Sequence, residues 1–318
     1  MADDSRAFDV RRLLGAGAAG AISGSSTDLA FLPFDTLRAR LNYGQLTSAT
    51  SANPLTAMRQ VGAEMIAADG VASLFRGSSS VALFSAPTFG IYFGTYKAVA
   101  LQLERRFGGP EHTPSWAYLG AGLNAELFAL GLFLPYDVTK QRLQCAPLGS
   151  RDTVFSVLRH VLAASGPAGL YRGATAAMAT YVPFSGLYFC SYERFKRALV
   201  GQARANDAQA AAAPSSAPAV PAAHFLSAVA AATVAAVATQ PLDCLKTRIQ
   251  VGDLAGGRAA ERTLLGTLRA ALAHGGVSSL MRGTLARVLA IAPGCGCSMT
   301  VFEMVLPHIT ALLHSPAL

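Results

Sequence analysis

Charge is scarce in this chain. Asp, Glu, Lys and Arg together make up 14% of its 318 residues, and the mean hydropathy is positive at +0.37. So few charged groups argue against a soluble protein of this length. Cysteine is also sparse. Its five copies, Cys145, Cys190, Cys244, Cys295 and Cys297, show neither metal-ligand spacing nor a paired disulfide framework. Cys295 and Cys297 read as small packing residues in an apolar helix, and no metal site is expected. The first nine residues lack an apolar core and carry Asp3 and Asp4, which argues against a secretory leader and a transit peptide. Any address is expected to be internal. His-x-Glu and Gly-x-Ser-x-Gly motifs are missing, as is a phosphate-cradling glycine loop after a strand, so neither enzymatic activity nor a cofactor is expected. The net charge of +8 comes without a Lys/Arg-rich face or a base-stacking aromatic array, so no nucleic-acid partner is expected.

What the chain does have is apolar length. Six stretches, about 12–40, 78–102, 114–142, 174–199, 222–248 and 284–313, each exceed the roughly 20 helical residues that cross a hydrocarbon core. Twelve of the thirty glycines fall within them, as in membrane helices that approach closely. The basic residues gather at their ends, which fits anionic lipid head groups.

Three of these stretches close on one signature: Pro33-x-Asp35-x2-Arg38-x-Arg40, Pro135-x-Asp137-x2-Lys140-x-Arg142 and Pro241-x-Asp243-x2-Lys246-x-Arg248. A proline kink and alternating charge are costly at the end of a membrane helix unless the charges have partners. A second signature keeps the same period. It runs Asp69-Gly70-x4-Phe75-Arg76-Gly77, then Ser165-Gly166-x4-Tyr171-Arg172-Gly173, then Gly275-Gly276-x4-Met281-Arg282-Gly283. Ten residues after each last glycine comes Pro87, Pro183 or Pro293. Repetition in register implies three copies of one unit: kinked helix, short amphipathic helix, second helix. The boundaries drawn are 1–110, 111–203 and 221–318, with an Ala/Pro-rich linker at 204–220. The wider stretch Gln202 to Pro221 reads as flexible.

This pattern resembles the mitochondrial carrier family over about residues 10 to 315. The resemblance implies an all-α membrane protein with six transmembrane helices in three pseudo-threefold repeats around a central cavity, and three short matrix-side amphipathic helices. It implies transport of a small metabolite across the mitochondrial inner membrane by alternating access, as a monomer among lipids such as cardiolipin. A matrix gate would pair Asp35 with Lys140, Asp137 with Lys246, and Asp243 with Arg38. Each pair, taken as semi-exposed, contributes about 0–1 kcal/mol. A cytosolic gate is complete only as Tyr192-Glu193-x2-Lys196. Lys97 replaces an acid in the first repeat, and Glu303 lacks its base in the third.

For substrate, Asp28 and Glu126 lie five and nine residues before signature prolines, positions on one helical face. Intramembrane carboxylates of this kind are binding-site candidates, or else are bonded between helices. If Asp28 faces a cavity, so should Gly24, Ala232 and Ala236. On the even-numbered helices Phe84, Thr180, Tyr181, Ala290 and Ile291 are expected at the substrate, with Arg287 as the basic group. Two acids, one arginine and aromatics suit a cationic or zwitterionic substrate. Ser26-Thr27-Asp28-Leu29, Ala125-Glu126 and Arg287-x3-Ile291 resemble the S-adenosylmethionine carriers, which implies exchange of S-adenosylmethionine for S-adenosylhomocysteine. The chain departs from them at Thr180-Tyr181, where they have Arg-Glu. Carriage of an amino acid, or of iron as in mitoferrins, is the alternative, and a non-transporting membrane adaptor is the alternative of another class.

Overall fold

The computed structural model describes residues 2–44, 53–109, 112–209, 219–252 and 263–314. Long helices α1 (Ala2–Ala30), α4 (Ser78–Phe107), α5 (Ser115–Cys145), α7 (Ala174–Gln209), α8 (Ala219–Ala238) and α11 (Thr284–His314) alternate with shorter ones. These are α2 (Leu32–Tyr43), α3 (Pro54–Asp69), α6 (Val154–Ser165), α9 (Gln240–Val251) and α10 (Leu264–Met281). No strand occurs among the described residues.

The signature prolines act differently in the three repeats. Pro33 and Pro241 lie in the first turns of α2 and α9, where a missing N–H costs nothing. There the chain breaks at Phe31 and at Thr239; Asp35 N–H donates to Phe31 O and Asp243 N–H to Thr239 O, both at 3.1 Å, and Thr239 N–H also donates to Ala235 O at 3.0 Å. Pro135 instead sits inside a continuous α5. The short helices start alike. Asn53, Thr153 and Thr263 accept bonds from Leu55 N, Ser156 N and Gly266 N at 3.0, 3.2 and 3.2 Å. The second signature explains how α3 and α6 end and where α10 kinks: Gly70, Gly166 and Gly276 all have positive φ, at 75°, 64° and 59°, a conformation that favours glycine.

Among the described residues no single helix is long and apolar enough to count as a membrane span on its own. The pair Phe225–Ala238 and Gln240–Val251, bent by 65°, does so together. In α5 the apolar run is interrupted by Asn124 and Glu126 and followed by Asp137, Lys140 and Arg142. Helix α7 continues to Gln209, through the start of the segment read as a flexible linker, and residues 210–218 lie outside the described residues.

The chain divides into two compact units. The first comprises residues 1–30, 78–137 and 298–318, and the second 31–77 and 138–297. In the first, α1 packs along α4. A Cβ at Gly24 would collide with the Phe89 ring, so that glycine is what admits the aromatic. In the second, Leu37, Leu41, Ala57, Val61, Met65 and Ala286 form an apolar cluster beneath α2 and α3.

Candidate functional site

In the second unit the acids of the first and third signatures meet the bases of other repeats. Lys140 Nζ lies 3.0 Å from Asp35 Oδ2. Arg38 grips Asp243 with two parallel bonds, Nε to Oδ2 at 2.8 Å and Nη2 to Oδ1 at 2.6 Å, and its Nη1 reaches Asp35 Oδ1 at 2.7 Å. A single guanidinium thus bridges acids of two repeats, a task for which its planar fork is suited. Around Asp243 stand Lys246 at 4.0 Å and Arg287 at 3.9 Å. These side chains are only 1–18% exposed. The expectation of weak, semi-exposed pairs therefore gives way to a buried network, in which removing one partner is expensive because another charge is stranded. Asp137 belongs to the first unit and Lys246 to the second.

Two residues expected at the substrate join this network. Lys246 donates to Tyr181 Oη at 2.7 Å, with its ammonium 4.7 Å from the centre of that ring. Arg287 is 2% exposed and donates to Ala236 O at 3.2 Å and Thr239 Oγ1 at 2.9 Å, with its guanidinium 5.8 Å from the Phe184 ring. Arg287 is therefore not an open receptor for a ligand carboxylate in this conformation. Thr180 is fully buried and donates to Ala176 O at 2.8 Å, so its hydroxyl is occupied within its own helix. Ala290 is also buried, and Ile291 half-buried. Ala232 and Ala236, expected on a cavity face, are fully buried, and Gly24 faces Phe89.

The first unit holds a different kind of acid site. Asp28, half-buried near the end of α1, accepts from Ser85 Oγ at 2.8 Å and from Tyr136 Oη at 2.6 Å. Both bonds fall on Oδ2. Ser85 is fully buried and Tyr136 is 3% exposed. The Tyr136 ring lies 6.4 Å from that of Phe84 and 6.0 Å from that of Phe133. Glu126, half-buried on α5, makes no hydrogen bond or ion pair among the described residues. Lys196 sits 5.7 Å from the Tyr192 ring. The side chains of Glu193 and Glu303 lie outside the described residues, and Lys97 is half-buried on α4.

Several participants were not singled out by sequence. Gln144 Nε2 donates to Asp35 Oδ2 at 3.1 Å, and Asn42 Nδ2 to Asp243 Oδ2 at 2.9 Å. A signal existed: an amide stands nine residues after every signature proline, as Asn42, Gln144 and Gln250. Ser85 and Tyr136 had no such repeat to mark them.

A three-repeat, all-helical protein with paired acids and bases from different repeats is the architecture of a solute carrier. The sequence profile of the mitochondrial carrier proteins matches residues 10–106, 111–203 and 218–311, and the chain belongs to that family. It is 29% identical over 296 residues to mitochondrial substrate carrier family protein E of Dictyostelium discoideum, covering 89% of this chain and 92% of that one. It is 29% identical over 287 residues to the mitochondrial glycine transporter of Xenopus tropicalis, covering 90% and 88%. Against a mitoferrin of Caenorhabditis briggsae the figures are 27% over 302 residues, 90% and 89%. The local likeness to S-adenosylmethionine carriers is corrected by these matches, which favour the amino-acid and iron alternatives. Its weak point was Thr180-Tyr181, which lacks the expected charge pair.

Proposed function

We propose that the chain is a multi-pass carrier of the mitochondrial inner membrane that moves a small zwitterionic amino acid, with glycine as the first candidate. The observation that carries this reading is Asp28: the one charged residue between Arg12 and Asp35, held by two buried hydroxyls and met by no Lys or Arg among the described residues. Such a group costs free energy until a cation arrives, which makes a substrate ammonium its natural partner. The glycine transporters among its relatives support the same class.

In this reading Asp35, Lys140, Arg38 and Asp243 form the matrix gate. Arg287, 3.9 Å from Asp243, belongs to the same charged network. A ligand that binds the open gate better than the closed one shifts the population by that difference in affinity.

Purified protein reconstituted into liposomes, preloaded with unlabelled glycine and offered labelled glycine, tests the proposal. Saturable uptake is expected, with other amino acids, S-adenosylmethionine, nucleotides and ferrous iron offered in parallel. Uptake of ferrous iron or S-adenosylmethionine without any amino acid would overturn the substrate class and leave the family membership untouched. No uptake of any compound would favour the adaptor reading.

A further inference from the structure

The Asp28 site contains an asymmetry that the transport reading does not itself require. Both hydroxyls donate to the same carboxylate oxygen, Oδ2, from different helices: Ser85 from α4 and Tyr136 from α5. Oδ1 accepts nothing among the described residues. Ser85 and Tyr136 are themselves nearly fully buried, whereas Asp28 is half-buried. The two donors are thus more deeply buried than the carboxylate they hold, and its other oxygen is left unengaged among the described residues. Tyr136 is restrained by burial and by ring contacts with Phe84 and Phe133.

We propose that Ser85 and Tyr136 are positioning residues that hold Asp28 by Oδ2 and so present Oδ1 to the ammonium of the substrate. This rests on the reading of Asp28 as the cation receptor. A carboxylate free to rotate would divide its time among rotamers and meet an incoming cation less often in a productive one. Two bonds from fixed donors remove that cost before binding, which is preorganisation in the usual sense. The arrangement also excludes some ligands. With Oδ2 occupied, Asp28 offers a point acceptor suited to an N–H donor and not a bidentate seat for a guanidinium, which needs both oxygens. The structure therefore assigns selectivity for a primary ammonium over a guanidinium or an uncharged isostere to these two hydroxyls.

The test uses the full chain in phosphatidylcholine–cardiolipin liposomes, with labelled glycine as substrate and unlabelled glycolate, which has a hydroxyl in place of the ammonium, as competitor. Tyr136→Phe removes one donor and keeps the ring, and Ser85→Ala removes the other with little change of volume. Each is expected to raise KM for glycine about tenfold, the scale of one hydrogen bond to a charged group, with Vmax kept within about twofold. The preference for glycine over glycolate is expected to shrink by a similar factor. A purely structural role would weaken both ligands equally, or lower Vmax with KM unchanged, and either result overturns the proposal. So does an unchanged KM in both variants. If one variant fails to fold, as judged by thermal unfolding in detergent, the other carries the decision. Asp28→Asn separates the two levels. If it transports like the parent, the cation-receptor reading and this inference fall together. If it abolishes saturable uptake while Tyr136→Phe and Ser85→Ala behave as the parent, only this inference falls.

Discussion

Asp243 and Asp28 are both aspartates in or beside long apolar helices, yet their surroundings are opposite. Asp243 is gripped by Arg38 and by the Asn42 amide, with Lys246 and Arg287 within 4.0 Å. Asp28 receives only two neutral hydroxyls among the described residues. The first acid is compensated from within the protein, and the second waits for a charge from outside. The contrast separates a group that holds the chain's own elements together from one suited to a passing ligand, although nothing in the side chain itself distinguishes them.

The sharpest way to break the contrast is Asp28→Asn. Saturable uptake is expected to be lost by more than about tenfold, while thermal unfolding in detergent changes by less than about 1 kcal/mol, because two hydroxyls can still donate to an amide oxygen. A large loss of stability with transport retained would place Asp28 among the structural acids. The complementary change is Arg38→Leu, which strands Asp243 and Asp35. A loss of about 3–5 kcal/mol is expected in the same unfolding measurement, and a loss below about 1 kcal/mol would show that Lys140, Lys246 and Arg287 compensate alone. Exchanging a single pair, Asp35→Lys with Lys140→Asp, probes the network more gently. Both single changes are expected to impair uptake, and the double change to recover part of it, with a coupling of about 0.5–3 kcal/mol from the thermodynamic cycle. Additive losses would deny a direct link. The smallest effect is expected from Gln144→Ala, about 1 kcal/mol, since it removes one hydrogen bond from an acid that keeps Lys140 and Arg38.

Much of this was legible beforehand for a simple reason: repetition. The proline-acid-base signature is written three times at one register, so Asp35–Lys140 and Arg38–Asp243 could be named before any coordinates, as could the acid Asp28 by counting back from Pro33. The same counting misled where local packing intervenes. Thr180, Ala232 and Ala236 occupy the right helical positions but are fully buried, because position on a helix face does not say which neighbour covers it. Arg287 was noted as basic and near the third-repeat proline, yet its hydrogen bonds go to Ala236 at the end of α8 and to Thr239 at the break before α9. The broken helices at Phe31 and Thr239, beside an unbroken α5 through Pro135, also escaped the repeat, since proline tolerates either outcome at a helix's first turn or within it when neighbours support the bend.

The sequence by itself determined the machine: three repeats, their helical composition, the family, and the charged residues that must find partners in an apolar setting. Periodicity and the cost of unpaired charge suffice for that, since both act along the chain. Only the tertiary structure decided what each charge meets. Ser85 and Tyr136 stand 57 and 108 residues from Asp28, and their hydroxyls carry no periodic mark. Hydrogen bonds of 2.6–2.8 Å depend on which helices lie side by side and on which turn, and that register comes from packing across the fold, as where Gly24 admits Phe89.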